Sequence, residues 1–170
     1  MSGERLIHLD LGTGAFSRGW FEALLGEAVA RAHREDAPLA LIWVDLDETA
    51  ILLDERGAPA VEAALSTLAQ AISAAVDGLG PIGRVGDDSL AVVLLGTTLP
   101  HAMRIGHAIR RAIAETRVRG LPLGDEPFHV TASVGVAALR PHEPWGNFSD
   151  AAEEACVRAK QGGRNRVAPR

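Results

Sequence analysis

The chain has 170 residues, 47% of them hydrophobic and 23% charged, which is typical of one soluble globular domain with a buried core over residues 1–170. The formal net charge of −5 argues against a nucleic-acid-binding protein that depends on bulk electrostatics. Cys156 is the single cysteine, so an intramolecular disulfide is excluded. We find no signal peptide and no apolar run near the ~18 residues of a transmembrane helix, so we expect a cytoplasmic location and no membrane contact.

The first half of the chain predicts two helices and three strands. Residues 16–34 have apolar side chains at helical spacing. Residues 39–47 form a short apolar run that ends in acids, which is typical of a buried strand. Pro59 suits the first turn of a second helix, whose apolar stripe follows it. Two strand-like segments, 81–85 and 90–95, then flank a Gly-Asp turn.

The second half predicts two more helices and two more strands. A third helix begins near Thr98, and residues 128–139 alternate as a strand. Ser149 is a suitable N-cap for the last helix, and residues 164–167 add an edge strand. This order predicts an α+β sandwich, in which a central, mostly antiparallel sheet of about five strands is flanked by helices. We interpret residues 1–9 as a lead-in of the kind that ends a linker in a longer protein.

The predicted turn between the second and third strands carries two adjacent aspartates, Asp87 and Asp88, in the segment GRVGDDSLAVVLL. Gly and Asp are ordinary turn residues, so a solvated turn is one interpretation. Carboxylates on a rigid hairpin also bind divalent metal ions in nucleotide-handling enzymes, which is the other interpretation. Asp45, at the end of the first predicted strand, leaves the same two interpretations open.

Five motifs, in order, resemble those of the GGDEF domain of diguanylate cyclases. We match DLGTGAFSR with the family's D-x-L-T-G-L-x-N-R, and PLALIWVDLD with the strand that carries its first metal-binding aspartate. We match RVGDDSLAVVLL with R-x-G-G-D-E-F and the apolar strand after it. Two further segments, VTASVGVA and AKQGGRNRV, are similar to V-T-x-S-x-G-x-A and A-K-x-x-G-R-N-R-V. The resemblance extends from about Asp10 to Val167 and implies the α+β sandwich of that family.

The resemblance also implies a reaction and the residues that would take part in it. Members of the family join two GTP molecules into cyclic di-GMP across a homodimer of such domains, with divalent metal ions at the reacting phosphates. By position, Asp45 and Asp88 match the catalytic, metal-binding carboxylates, whose oxygens suit Mg²⁺ or Mn²⁺. Lys160 and Arg164 match the basic pair that binds the triphosphate.

The sequence departs from the family at the motif itself, where Gly86, Asp87, Asp88, Ser89 and Leu90 align with G-G-D-E-F. Gly86 keeps the first glycine of the nucleotide-binding turn. Asp87 replaces the second glycine, so its side chain should crowd the nucleotide, and its charge should repel phosphate unless it binds metal. Ser89 replaces the second acid, so one carboxylate is lost.

The predicted guanine pocket departs further. The family's guanine-reading asparagine aligns with Leu53, and its partner aspartate aligns with Glu62. Leucine offers no hydrogen bond to a guanine edge, and a lost buried hydrogen bond costs about 1–3 kcal/mol, so we expect poor GTP selectivity. Asp54 persists from the family pattern, and we predict that Asp54 and Glu62 contribute to nucleotide binding. The product-inhibition motif R-x-x-D falls on residues 77–80 and is absent, so we predict no inhibitory site for cyclic di-GMP.

Two functional hypotheses remain. In the first, which we favour, the domain lacks normal cyclase activity and acts in cyclic-dinucleotide signalling as a regulatory module that binds a nucleotide or a protein partner. In the second, it is an active diguanylate cyclase or related nucleotide cyclase with an altered base preference. The departures at the motif and the base pocket favour the first, whereas the retained metal and phosphate residues favour the second. A homodimer is expected if the family reaction takes place.

Overall fold

The computed structural model describes residues 8–119 and 126–170. The predicted lead-in at 1–9 is therefore described only at its last two residues. Residues 120–125, between the predicted third helix and the strand predicted at 128–139, lie outside the described residues.

The described chain contains five helices and seven strands. The helices are α1 (Arg18–Glu35), α2 (Thr49–Arg56), α3 (Ala58–Val76), α4 (Leu99–Glu115) and α5 (Trp145–Gln161). The strands are β1 (Leu39–Leu46), β2 (Ile82–Arg84), β3 (Ser89–Leu95), β4 (Arg117–Val118), β5 (Phe128–His129), β6 (Ala132–Ala138) and β7 (Val167–Pro169).

Five of the strands form the central sheet, in the order β2-β3-β1-β6-β7. Strand β1 pairs antiparallel with both β3 and β6, and β2 pairs antiparallel with β3. Only β7, at the edge, runs parallel to its neighbour β6. The predicted α+β sandwich with a mostly antiparallel sheet of five strands is confirmed.

The central strand β1 shows how the sheet buries both of its faces. On one face, Ile42 packs in an apolar cluster with the stripes of α3 and α4. On the other face, Leu41 and Trp43 pack in a second cluster with α1 and α5. Because side chains alternate along a strand, the odd-numbered residues of β1 face α1 and α5. Asp45 therefore continues the series on the side of α5.

Helix α5 lies directly on β6 because β6 has a glycine where the two elements meet. A Cβ atom on Gly135 would lie 2.1 Å from the carbonyl oxygen of Ala152 and 2.3 Å from the amide nitrogen of Cys156. The two backbones are therefore in contact, and no larger residue fits between them. This close approach holds α5 so that Lys160, in its last turn, reaches the end of β1.

Most predicted elements are present, but some of their ends are shifted. The first helix begins at Arg18 rather than at residue 16. The prediction that Ser149 caps the last helix is wrong, because α5 already begins at Trp145 and Ser149 lies inside it. Pro144 stands at the N-cap with extended backbone, and its fixed φ suits the entry to a helix.

Three segments of the structure differ from what the sequence predicts. Residues 49–56 form α2, which the sequence pattern does not predict because this helix buries no residue and so has no apolar stripe. The single strand predicted at 128–139 is two strands, and β5 leaves the main sheet to pair with β4. The edge strand predicted at 164–167 begins only at Val167.

Helix α3 is the one helix among residues 8–119 and 126–170 that is long and apolar enough to cross a membrane. Its apolar stripe, which includes Leu65, Leu68 and Ile72, is fully buried against the sheet. The core helix of a soluble protein passes the same test of length and composition. The absence of membrane contact stays a prediction.

Substitution of Gly135 by alanine tests the contact between α5 and β6. We expect Gly135→Ala to lower the free energy of unfolding by about 3 kcal/mol, because a backbone must move to admit the methyl group. The measurement is urea unfolding followed by far-UV circular dichroism. In the control Gly19→Ala, the new Cβ meets no atom within 4 Å, so its effect should stay below about 1 kcal/mol. Equal effects of the two substitutions would contradict the tight contact.

Candidate active site

The end of β1 brings together two carboxylates and one hydroxyl. In the register of β1 and β3, Asp45 lies opposite Ser89, and Asp88 directly precedes Ser89. The Ser89 hydroxyl lies 3.5 Å from Asp45 Oδ2 and 3.5 Å from Asp88 Oδ1, so it can donate a long hydrogen bond to either. The two predicted metal-binding aspartates thus lie on opposite sides of one serine.

Contacts with β1 and α2 fix Asp88 at the tip of the hairpin. The amide of Leu46 donates to the carbonyl oxygen of Asp88 at 2.9 Å. The Thr49 hydroxyl donates to Asp88 Oδ2 at 2.9 Å, and it also lies 3.1 Å from the carbonyl oxygen of Leu46. Thr49 is the first residue of α2. Sequence reasoning missed Thr49 because it did not predict this helix.

Lys160 reaches the carboxylates from the end of α5. Its ammonium group forms an ion pair with Asp45 Oδ1 and lies 3.4 Å from the carbonyl oxygen of Leu46. Among the described residues, Lys160 is the only polar partner of Asp45 Oδ1, which is otherwise buried. The structure therefore brings three of the predicted site residues, Asp45, Asp88 and Lys160, into one cluster.

Burial and charge shift the ionisation of this cluster. Burial raises the pKa of Asp45 to about 6, and the nearby negative charge of Asp88 adds to the rise, while the hydrogen bond from Lys160 opposes it. Burial alone lowers the pKa of Lys160, but its hydrogen bond and charge interaction with Asp45 outweigh burial, so that the pKa is raised. Asp45 thus needs a cation beside it to stay ionised near neutral pH.

The oxygens around Lys160 meet the requirements of a small divalent cation. The carboxylates of Asp45 and Asp88 and the carbonyl of Leu46 are hard oxygen donors, and two of these groups already contact an ammonium ion. Over residues 8–119 and 126–170, no three His, Cys, Asp or Glu side chains are grouped to hold a metal. Mg²⁺ is ordinarily bound by one or two carboxylates together with substrate phosphates. The donor set therefore fits a metal that arrives with a phosphate.

Asp47 has a structural role that the sequence analysis did not assign. Its buried carboxylate accepts hydrogen bonds from the hydroxyls of Thr131 and Ser133, both at 2.7 Å, and from the amide of Asn165 at 3.0 Å. Asp47 thereby fastens the turn after α5, which contains Arg164, to the end of β1. In the sequence, the signal for this role was the position of Asp47 two residues after Asp45, a spacing that places both side chains on the same side of an extended strand.

Arg84 organises the other side of the hairpin turn. Its guanidinium donates to the carbonyl oxygen of Gly86 at 3.4 Å and to that of Asp87 at 3.0 Å. It also pairs with the carboxylates of Asp10 and Glu62, at closest distances of 3.3 and 2.9 Å. Glu62, predicted to bind nucleotide, is thus engaged by an arginine. In the sequence, Arg84 is recognisable only as the first residue of the matched segment RVGDDSLAVVLL, with no role of its own.

The remaining predicted residues surround this cluster without joining it. Asp54 is exposed on α2, Asp87 is exposed at the hairpin tip, and Arg164 is exposed with a left-handed φ of 62°. Within the described part of the chain, none of these three side chains forms a hydrogen bond or ion pair. A Cβ atom on Gly86 would lie 2.8 Å from Ser89 Oγ, so a side chain at residue 86 would displace that hydroxyl. The roles of these residues in binding stay predictions.

Replacement of Asp45 by asparagine tests the ionisation of the cluster. The pKa of about 6 in the folded chain lies above the ordinary aspartate value of 3.8, so the ionised form costs stability that the protonated form does not. The unfolding free energy of Asp45→Asn relative to the natural chain should therefore rise by up to about 3 kcal/mol between pH 4 and pH 8. Urea unfolding in chelator measures it, and Asp54→Asn controls for the loss of one charge. A relative stability that falls with pH would contradict the raised pKa.

Comparison with known sequences identifies the family. The family model described as "Diguanylate cyclase, GGDEF domain" matches residues 7–166. The protein YhcK of Bacillus subtilis (strain 168) is 31% identical over 165 residues, which cover 94% of this chain and 45% of that protein. The diguanylate cyclase DosC of Escherichia coli (strain K12) is 25% identical over 95% of this chain and 35% of its own length. The chain thus spans less than half the length of these curated relatives.

Solved structures show the same fold. The diguanylate cyclase SiaD of Pseudomonas aeruginosa, solved in complex with its activator SiaC, has a TM-score of 0.90 at 26% identity and covers 98% of this chain and 63% of that one. The active GGEEF domain of a diguanylate cyclase from Vibrio cholerae has a TM-score of 0.79 at 27% identity, over 90% of this chain and 96% of that one. The match over nearly all of the chain and the shared architecture lead to one conclusion: the chain belongs to the GGDEF domain family of diguanylate cyclases.

Proposed function

We propose that this GGDEF domain binds a nucleoside triphosphate together with a divalent metal ion, acts as a regulatory module in cyclic-dinucleotide signalling and lacks normal diguanylate cyclase activity. The observation that supports this proposal most directly is the place of Ser89. Its hydroxyl, rather than the carboxylate of the family motif, lies between Asp45 and Asp88. A hydroxyl carries no charge, so it neither offsets the charge of a metal ion nor acts as a base at neutral pH as a carboxylate does.

The retained groups support binding of metal and phosphate. Asp45 and Asp88 supply carboxylate oxygens for Mg²⁺ or Mn²⁺, and such an ion would neutralise charge on the phosphates. Asp45 would hold such an ion, and Lys160, now paired with Asp45, would then be available to pair with a phosphate oxygen. Arg164, exposed in the turn that Asp47 fastens, supplies the second cation.

The hairpin tip supports the proposed lack of normal cyclase activity. Asp87 is not one of the described residues with a positive φ, so the hairpin turn accommodates its side chain without backbone strain. Its carboxylate is exposed and lies next to Asp88, where it adds negative charge to the path by which phosphate reaches the metal. The cost of Asp87 therefore falls on the approach of a ligand and not on the fold.

The base end of the site supports loss of guanine selectivity. Leu53, which aligns with the family's asparagine, is 50% exposed on α2 and offers no hydrogen bond to a purine edge. Glu62, which aligns with the partner aspartate, is paired with Arg84. We propose that the triphosphate and metal carry the binding, so GTP and other nucleoside triphosphates bind with similar affinity.

The second candidate function is an active cyclase with altered base preference. The cluster of Asp45, Asp88 and Lys160 favours it, because these residues provide the metal and phosphate contacts of a two-metal phosphoryl transfer. This function requires a homodimer that brings two such sites face to face. Regulation by a protein partner is compatible with the first function, and we propose a cytoplasmic location for either.

Thermal stability with nucleotide and metal, combined with mass spectrometry, distinguishes these functions. The purified chain is incubated with each of the four nucleoside triphosphates and Mg²⁺ or Mn²⁺. We expect a rise in melting temperature of a few degrees that needs both components, with no cyclic dinucleotide formed. Asp88→Ala should abolish the rise, because it removes a metal ligand. The double substitution Asp87→Gly with Ser89→Glu, which restores the first four residues of the family motif, should produce cyclic dinucleotide.

The alternative outcomes separate the proposals. A cyclic dinucleotide made by the natural chain and lost in Asp88→Ala would establish the active cyclase and overturn our first proposal. No product and no rise in melting temperature with any nucleotide would contradict nucleotide binding and leave a protein-binding module.

A further inference from the structure

The pair formed by Glu62 and Arg84 is a two-pronged ion pair between α3 and the end of β2. Glu62 Oε1 accepts from Arg84 Nη2 at 2.9 Å, and Glu62 Oε2 accepts from Arg84 Nη1 at 3.1 Å. Two parallel hydrogen bonds from one guanidinium fix its orientation as well as its position. Glu62 is half exposed and Arg84 is mostly buried, so the value of the pair lies in geometry more than in stability.

Every nitrogen of the Arg84 side chain is engaged. Nε donates to the carbonyl oxygen of Gly86, and Nη2 donates to that of Asp87 as well as to Glu62. Nη1 is shared between Glu62 and Asp10. The two carbonyl oxygens lie in the turn, beyond the paired residues of β2 and β3, where no strand supplies them with a donor. Arg84 therefore holds the backbone that leads directly into Asp88.

The carboxylate of Glu62 is also enclosed on the side of the N-terminal loop. A Cβ atom on Gly12 would lie 2.7 Å from Glu62 Oε2, so the loop passes directly against this oxygen. The carboxylate thus lies between the backbone of Gly12 and the guanidinium of Arg84. Both of its oxygens accept hydrogen bonds from Arg84, which orients the carboxylate toward the guanidinium.

We infer that Glu62 is a positioning residue, which orients Arg84 so that it holds the hairpin turn carrying Asp88, and that it does not read the nucleotide base. The chain of contacts runs from the carboxylate of Glu62, through the guanidinium, to the carbonyl oxygens of Gly86 and Asp87. This inference rests on the proposed function only for its effect on metal binding, because the effect on the hairpin is a property of the chain alone.

Hydrogen exchange at the hairpin tests the inference without any ligand. The amides of Val85 and Gly86 donate to the carbonyl oxygen of Ser89, and they report on the turn. In Glu62→Gln, we expect these amides to exchange roughly threefold faster, because the guanidinium loses its charged partner. The control is Glu22→Gln, which breaks an exposed ion pair with Arg18 elsewhere on the surface and should leave the hairpin unchanged.

A double substitution tests whether Glu62 acts through the arginine. Arg84→Met should speed exchange at the turn more than Glu62→Gln, since it removes the donors to both carbonyl oxygens. In the Arg84→Met background, Glu62→Gln should add nothing further, because no guanidinium remains to orient. Exchange of the amides in β1 and β6 serves as the reference for global unfolding. Additive effects of the two substitutions would contradict the inference.

Binding of Mn²⁺, measured by electron paramagnetic resonance, separates positioning from base reading. A positioning role predicts that Glu62→Gln weakens Mn²⁺ binding while the ratio of GTP to ATP affinity stays unchanged. A base-reading role predicts the reverse, and that result together with unchanged hairpin exchange would overturn the inference. If the natural chain binds neither Mn²⁺ nor nucleotide, the proposed function fails, and hydrogen exchange still decides the role of Glu62.

Discussion

The largely buried carboxylate of Asp45 depends on a nearby cation to stay ionised near neutral pH. Asp45 and Asp88 are on either side of the Ser89 hydroxyl, and burial already raises the pKa of Asp45 to about 6. The ammonium group of Lys160 supplies the missing charge from the end of α5. The cluster is therefore arranged to hold a cation, and in this structure that cation is the ammonium group of Lys160.

The fold meets this requirement through contacts that lie away from the cluster. Gly135 lets the backbone of α5 touch β6, and the position of that helix sets how far Lys160 reaches. The buried carboxylate of Asp47 fastens the turn after α5 to β1 through the amide of Asn165. The geometry of the charged groups thus depends on Gly135, which has no side chain, and on Asp47, whose carboxylate accepts three hydrogen bonds.

The sequence predicted the sheet, its five strands and the meeting of Asp45 with Asp88, because apolar runs, turn residues and ordered motifs carry that information. It did not predict α2, since a helix with no buried residue has no periodic apolar pattern. It also assigned Glu62 by alignment alone, whereas a side chain that is one methylene longer than aspartate forms a contact with Arg84 that no pattern reveals. Pairings between distant side chains depend on packing, so local sequence cannot supply them.

The departures from the family pattern fall at both ends of the proposed site. The proposed metal and phosphate end keeps Asp45, Asp88 and Lys160 but has a serine in place of one carboxylate. The proposed base end has an exposed leucine and a glutamate that already has an arginine partner. Hydrogen bonds to a base distinguish one nucleotide from another, whereas contacts with phosphate and metal do not. In our inference, Glu62 supports the turn before Asp88 through Arg84 and does not read the base. We therefore propose that this one pair of side chains accounts both for the fixed turn and for the loss of base selectivity.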